Sequence, residues 1–151
     1  MTTATKPQGC TNFKLRQLLR RVAQLYDSEL AQAGLKTTQY SLLSSVQALG
    51  PVRPGDLAQA MTLDASTLTR NLKPLLAAGW LEMAPGPDAR SRLVQLTEAG
   101  RAKRAEAQRR WRVAQESLNH QLGTERVLAL HALIDDSLGL LAPPALEEAD
   151  D

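Results

Sequence analysis

The sequence has little that would cross-link the chain or carry it into a membrane. It holds a single cysteine, Cys10, in 151 residues, so no disulfide can form within the chain. No apolar run approaches the roughly 20 residues that span a bilayer, and the polar residues 1–9 lack the apolar core of a secretory signal. We therefore expect one globular domain in the reducing cytoplasm, with no membrane association.

Aromatic side chains and catalytic motifs are also scarce. The five aromatic residues are Phe13, Tyr26, Tyr40, Trp80 and Trp111. They are too few for the stacked-base platforms of proteins that bind RNA or single strands. The chain has no Gly-x-Ser-x-Gly elbow, Walker phosphate loop or local cysteine–histidine pair, so we predict no enzymatic activity and no cofactor.

Zinc binding is the remaining candidate chemistry, and the histidine content argues against it. His131 and Asp135 lie four residues apart, a spacing that places both on one helix face. A closed zinc site needs further ligands, and His120 is the only other histidine. We expect a solvated surface at these positions and no metal.

Charge is more informative by position than in total. The 18 basic and 16 acidic residues give a net charge of +2, but four of the acids lie in the last five positions. Without them the chain carries 18 basic and 12 acidic residues, or +6. Seven cations and three acids lie between residues 65 and 104, a local +4. Such a basic region favours a polyanion partner, and the shortage of aromatics favours double-stranded DNA.

The apolar periodicity predicts a mainly α fold with a small β-wing. Helices are expected at about residues 12–34, 38–49, 54–61, 64–78, 97–122 and 124–142. The expected N-caps are Asn12, Thr38, Asp64, Thr97 and Thr124. Pro54 suits the first turn of the third helix. Two short strands, at about 80–84 and 92–96, flank a breaker-rich loop and form the wing. Pro74 predicts a bend in the fourth helix.

The third and fourth helices are joined by about three residues, the connection of a helix-turn-helix, although the glycine often found there is missing. On the fourth helix, the leucines 68, 72 and 75 fall on one side of the helical wheel. Ser66, Arg70 and Lys73 fall on the opposite side, which suits a major groove. The competing interpretation is the solvated outer face of an ordinary amphipathic helix.

The loop of the wing carries two further cations, Arg90 and Arg92. On an extended strand, residues two apart point the same way, and Asp88 can brace one of the guanidinium groups. An arginine at a wing tip can enter a minor groove. The competing interpretation is a solvated turn with surface ion pairs.

The order of elements and several local motifs resemble the MarR (multiple antibiotic resistance regulator) family of bacterial transcription factors. The matching stretches are 64–70, 75–79, the wing segment Asp-Ala-Arg-Ser-Arg at 88–92, and Leu-Thr-Glu-Ala-Gly at 96–100. The resemblance covers roughly residues 12–141. It implies a winged helix-turn-helix at about 35–100, flanked by dimerisation helices at about 12–34 and 98–142. Residues 1–11 are then a flexible arm and residues 143–151 an acidic tail.

The resemblance also implies a homodimer whose two recognition helices enter successive major grooves of a pseudo-palindromic operator. The candidate DNA-binding residues are Ser66, Thr67, Thr69, Arg70, Lys73, Arg90 and Arg92. Members of the family typically repress transcription and release DNA when a small acid, often aromatic, binds. Side chains of a type that can hold such an anion are Arg16, Arg20, Arg21, Tyr26 and Tyr40.

Two alternatives stay open at the level of sequence. Some MarR-like regulators sense organic hydroperoxides with a cysteine near the start of the first helix, which is close to Cys10. The other alternative is a winged-helix module that binds protein rather than DNA.

Overall fold

A computed structural model describes residues 6–143 of the chain. Its helices are α1 (Thr11–Leu30), α2 (Thr37–Leu49), α3 (Pro54–Ala60), α4 (Ala65–Ala77), α5 (Glu98–Leu122) and α6 (Thr124–Leu140). A 3-10 turn, Ala31–Ala33, extends α1, and the strands β1 (Leu81–Pro85) and β2 (Arg92–Leu96) pair antiparallel with Leu81 opposite Leu96. The predicted fold class, mainly helical with a small β-wing, is confirmed.

Residue contacts divide the chain into two units, residues 1–115 and 116–151, and the division falls within α5. The predicted arm at 1–11 and the predicted acidic tail at 143–151 lie partly outside the described residues, so the proposed domain limits stay predictions. Within residues 6–143, no helix is both long enough and apolar enough to cross a membrane.

The first unit has a continuous apolar core. Its largest fully buried side chains are Leu30, Leu42, Leu43, Val46, Leu57, Leu68, Leu75, Leu81 and Val94. An isolated bridge joins Val52, between α2 and α3, to Val94 of β2, with N–H···O distances of 3.0 and 2.8 Å. The wing is therefore anchored both to the helix-turn-helix and to the core.

The turn between α3 and α4 explains how the motif closes without a glycine. The Leu63 N–H donates to the Ala58 carbonyl at 2.9 Å, and the Thr62 N–H donates to the Gln59 carbonyl at 3.1 Å. These two bonds form a Schellman motif, which requires a left-handed residue just beyond the helix. Thr62 takes that conformation with φ +55°, whereas Gly79 fills the same place after α4 with φ +76°.

Two of the predicted N-caps, those of α4 and α5, are confirmed, and that of α6 is wrong, as are those of α1 and α2. Asp64 accepts a hydrogen bond from the Thr67 N–H, and Thr97 accepts one from the Gly100 N–H at 3.0 Å. Thr124 is the first residue of α6 rather than its cap. Its neighbour Gly123, at φ +82°, occupies the N-cap position because glycine adopts this conformation readily.

The predicted caps of α1 and α2 are also wrong. α1 begins at Thr11, so its N-cap is Cys10, two residues before the expected cap. Asn12 lies inside the helix. α2 starts at Thr37, and its first N–H donates to Asp27 of α1 at 2.9 Å. The Thr37 hydroxyl donates to the same carboxylate oxygen at 2.6 Å. Thr38 does not cap α2 because it lies inside the helix, and Lys36 occupies the N-cap position. Asp27, ten residues away in sequence, satisfies the first N–H of the helix.

Candidate nucleic-acid interface

The helix α4 presents a polar face to solvent opposite a buried apolar one. Leu68, Leu72 and Leu75 are 1%, 6% and 0% exposed and hold the helix against the core. The side chains of the opposite face are exposed, namely Ser66, Thr69, Arg70 and Lys73, while Thr67 is half-buried. The helix continues through Pro74 to Ala77. Burial of one face therefore fixes which side chains the other face offers.

Asp64 organises the N-terminus of this face. Its carboxylate accepts hydrogen bonds at 2.7 Å from the Thr67 N–H and at 2.7 Å from the Ser66 hydroxyl. These bonds, the backbone one first, lower the pKa of Asp64 from 3.8 to about 2, and the positive charge of Arg70 adds to the effect. The cap is therefore ionised at neutral pH and holds the first turn in place.

The hydroxyl groups of α4 are already engaged in the free protein. The Ser66 hydroxyl donates to Asp64, and the Thr69 hydroxyl donates to the Ala65 carbonyl at 2.9 Å. Arg70 reaches the Thr67 hydroxyl oxygen at 3.4 Å. Ser66 and Thr69 therefore offer lone pairs to a partner as they stand, and they must rotate before they can donate to one.

The wing presents its two arginines in different ways. Arg92 begins β2, paired with Pro85, and Arg90 lies in the preceding turn. The extended backbone on which the expected common orientation depended is absent at Arg90, because that residue lies in a turn. Both side chains are nevertheless exposed at the end of the hairpin.

Asp88 does not brace either wing arginine, contrary to the expectation from spacing. Its carboxylate lies 3.9 Å from the guanidinium of Arg53, at the N-terminus of α3. Both side chains are largely exposed, so the pair contributes little to stability. Arg53 is a cation of this surface that the sequence interpretation missed, since nothing local relates it to a residue 35 positions away.

The basic side chains of this surface are available to an anion. Over residues 6–143, the ion pairs within 4 Å involve Arg53 and Lys103. Within that range Arg70, Lys73, Arg90 and Arg92 are all exposed and have no carboxylate at this distance. The face of α4 and the wing together therefore form a surface that can neutralise phosphates.

The Leu-Thr-x-x-Gly segment fixes the end of α4 against the start of α5. The Thr97 hydroxyl donates to the Gly79 carbonyl at 2.6 Å, and the Thr97 N–H donates to the Trp80 carbonyl at 3.1 Å. A Cβ on Gly100 would overlap the Trp80 carbonyl oxygen, so only glycine permits this approach. The motif thus joins the C-terminal end of α4 to α5, the long helix that follows the wing.

The candidate thiol, metal ligands and effector-binding side chains do not form one cluster among the described residues. Cys10 is exposed at the N-cap of α1. Among the described residues, no group of three or more histidine, cysteine, aspartate or glutamate side chains is arranged to hold a metal ion. Tyr26 and Tyr40 are buried, whereas Arg20 and Arg21 line a shallow concavity on α1.

Comparison with known proteins identifies the family of this architecture. The model of the MarR family matches residues 35–90. The multiple antibiotic resistance protein MarR of Salmonella typhimurium is 36% identical over 80 residues, which are 52% of this chain and 56% of that protein. Across the curated relatives that it matches, the chain spans 56% to 67% of their length.

Solved structures extend the similarity over more of the chain. A cysteine-to-serine variant of MarR from E. coli, complexed with operator DNA, has a TM-score of 0.77 at 25% identity and covers 84% of this chain and 92% of its own. The M. tuberculosis regulator MosR in complex with DNA has a TM-score of 0.71 at 28% identity, covering 85% and 98%. The chain therefore belongs to the MarR family, whose members are winged-helix, DNA-binding transcriptional regulators rather than enzymes.

Proposed function

We propose that this protein binds double-stranded DNA sequence-specifically as a homodimer, with α4 as the recognition helix in the major groove. The observation that carries the proposal is the exposed polar face of α4, held outward by the burial of Leu68, Leu72 and Leu75. The DNA complexes of related MarR and MosR structures support it.

The side chains divide into those that position the protein and those that read bases. Arg70 can form a bidentate contact with guanine or a phosphate, and Lys73 suits a phosphate. Ser66, Thr67 and Thr69 can bond to the backbone or to base edges near the start of α4. The wing cations, Arg90 and Arg92, are suited to the adjacent minor groove, where negative potential is concentrated.

Dimer formation is supported by apolar side chains that the described chain leaves exposed. Those on α1 are Phe13, Leu15, Leu18 and Leu19, and those on one side of α6 are Leu133, Ile134, Leu138 and Leu140. A two-fold dimer would cover such surfaces and place two recognition helices on a pseudo-palindromic operator, with half-sites about 10 base pairs apart.

We also propose that the protein represses transcription and that a small anionic effector releases it from DNA. Arg20 and Arg21 line a concavity on α1 and can hold a carboxylate. Tyr26 is a weaker candidate because it is buried and its hydroxyl donates to Gln115 at 2.5 Å; burial also raises the pKa of this phenol. Screening small aromatic acids for release of the bound operator tests this step. An operator complex that no acid releases would contradict it.

The DNA-binding proposal is tested by selecting duplexes from a random pool and measuring affinity for the selected operator against salt concentration. The logarithm of affinity should fall with the logarithm of salt, with a slope of about 0.9 per phosphate contact.

Arg90→Ala should weaken binding by about 1–3 kcal/mol per site while leaving thermal stability unchanged. Arg109→Ala, an exposed cation of α5, is the matched control. Failure to select any duplex, or affinity indifferent to salt, would favour a protein-binding module.

Oxidant sensing is a second candidate because the Cys10 thiol is exposed at the start of a helix. A hydroperoxide would oxidise the thiol to a sulfenic acid and be reduced to the alcohol. Operator release by hydroperoxide in the wild-type protein, absent in Cys10→Ser, would establish this function. Equal behaviour of the two proteins would exclude oxidant sensing by Cys10.

The cytoplasmic location expected from the sequence stays a prediction.

A further inference from the structure

Lys103 of α5 stands where three parts of the first unit meet. Its ammonium group donates to the Ala33 carbonyl at 3.0 Å and to the Glu106 carboxylate at 3.1 Å. It also lies 5.5 Å from the centroid of the Trp80 ring. The side chain is only 23% exposed, so these contacts form in a partly desolvated setting where charge-assisted bonds are stronger.

Two of the residues that Lys103 contacts, Ala33 and Trp80, lie at the C-terminal ends of α1 and α4. Ala33 ends the 3-10 turn that extends α1, and its carbonyl lies at the negative end of that helix dipole. Trp80 follows Gly79 directly, and its N–H donates to the Leu75 carbonyl to close α4. Thr97 and Gly100 already join the end of α4 to α5; Lys103 adds the connection to the end of α1.

Small rotations at this junction have large effects at the DNA. The 13 residues of α4 span about 20 Å at 1.5 Å per residue. Since the junction lies at the C-terminal end of α4, a rotation of about 10° there moves the N-terminal end by about 3.4 Å, which is one base-pair rise. Ser66 lies at the N-terminal end and moves by about this distance, whereas Arg70, midway along the helix, moves by about half of it. Such a rotation therefore displaces both side chains relative to the base pairs.

We propose that Lys103 is a positioning residue that fixes the recognition helix relative to α1 and so sets the spacing of operator half-sites that the dimer accepts. The inference rests on the proposed dimeric DNA binding. Lys103 itself contacts no DNA in this account; it acts through the orientation of α4.

The test compares three duplexes: the selected operator, and the same operator with one base pair inserted or removed between its half-sites. Lys103→Met keeps the length of the side chain but removes its hydrogen bonds and charge. Wild-type protein should bind both altered duplexes at least about tenfold more weakly than the operator. Lys103→Met should bind the operator about tenfold more weakly, since a charge-assisted bond is lost, and should discriminate among the three duplexes by less than about threefold.

Two controls separate positioning from stability and from simple loss of charge. Arg109→Met removes a cation from the same helix and should keep the full discrimination of the wild type. Lys103→Arg retains a charged donor that can stack on Trp80 and should restore most of the discrimination. Should Lys103→Met fail to fold, Lys103→Gln takes its place, because its side chain is uncharged and one bond too short to reproduce the contact with the Ala33 carbonyl.

The outcomes are distinct. A folded Lys103→Met or Lys103→Gln that binds more weakly but keeps the full spacing discrimination would overturn the inference and leave Lys103 a purely stabilising residue. A wild-type protein that binds no selected duplex would instead refute the proposed function itself. The positioning role is supported if the affinities for the three duplexes become more alike in Lys103→Met and stay as different as in the wild type in Arg109→Met.

Discussion

The helices α4 and α6 both carry leucines at helical spacing, but the leucines of α4 are buried and those of α6 are exposed. Leu68 and Leu75 of α4 are 1% and 0% exposed. Leu133 and Leu138 of α6 are 65% and 54% exposed. The apolar pattern alone does not determine burial; a partner surface must be present, and α2, α3 and the hairpin supply one for α4. An apolar helix face that its own chain leaves open is the surface we expect a second copy to cover.

The strongest test of this comparison charges the open surface. Leu138→Glu should dissociate the proposed dimer, because it places a carboxylate among the exposed apolar side chains of Leu133 and Ile134. Loss of the second recognition helix should reduce operator affinity by about 10²–10⁴-fold. Light scattering and operator titration measure the two effects.

The matched control for that experiment is Ala132→Glu, which adds the same charge on the exposed side of α6 that lies away from Ile134 and Leu138. It should leave both mass and affinity unchanged. A Leu138→Glu protein that remains dimeric and binds the operator normally would show that this face of α6 is not the interface.

The second test applies one truncation to both regions. Leu75→Ala should lower the free energy of unfolding by about 2–5 kcal/mol, because it opens a cavity in the core. Leu128→Ala, at a position of α6 that is 65% exposed and lies on another side of the helix from Leu133 and Ile134, should change it by less than about 0.5 kcal/mol. Urea unfolding of both variants gives the comparison. Similar losses at the two positions would mean that Leu128 is buried in solution.

The third test contrasts the two Schellman ends, after α3 and after α4. Thr62→Gly should raise the free energy of unfolding by about 0.5–1 kcal/mol, since relief of the left-handed strain exceeds the added chain entropy. Gly79→Ala should lower it by about 1–2 kcal/mol at the equivalent place. Thermal unfolding provides the measurement. A Thr62→Gly protein less stable than the wild type would show that the threonine side chain has a stabilising contact.

The smallest expected effect concerns pH. The pKa of Asp64 is lowered to about 2 in the folded protein, so its stabilising effect is present above the ordinary value of 3.8 and is lost as the pH falls towards 2. Asp64→Asn keeps a capping oxygen without a titrating group and should lose less stability over this interval. Unfolding curves at several pH values compare the two proteins. Identical pH dependence would mean that the carboxylate bond to Thr67 is weak in solution.

Local features of the fold were predictable because their causes are local. Six helices and a wing follow from apolar periodicity, and the buried and exposed sides of α4 follow from residues three and four apart. Asp64 and Thr97 were recognisable as caps because a capping residue and its target N–H lie within three positions of each other.

Contacts between distant residues were not predictable from the same patterns. Asp27 caps α2 from ten residues away, and Asp88 lies near Arg53 rather than the adjacent arginines. Lys103 reaches Ala33 across 70 positions. In each case an ordinary surface residue gains its role from a neighbour that only the folded chain supplies. The left-handed Thr62 was likewise concealed, because a β-branched residue is disfavoured in that conformation.

Hydroxyl-radical footprinting of the wild-type protein on its selected duplex shows whether two copies of α4 lie on the DNA as the proposed dimer requires. Two recognition helices on a two-fold dimer predict two symmetric protected regions on one side of the DNA, centred about 10 base pairs apart. A single protected groove, or uniform protection along the duplex, would contradict the assignment of α4 as the reading element of a dimer.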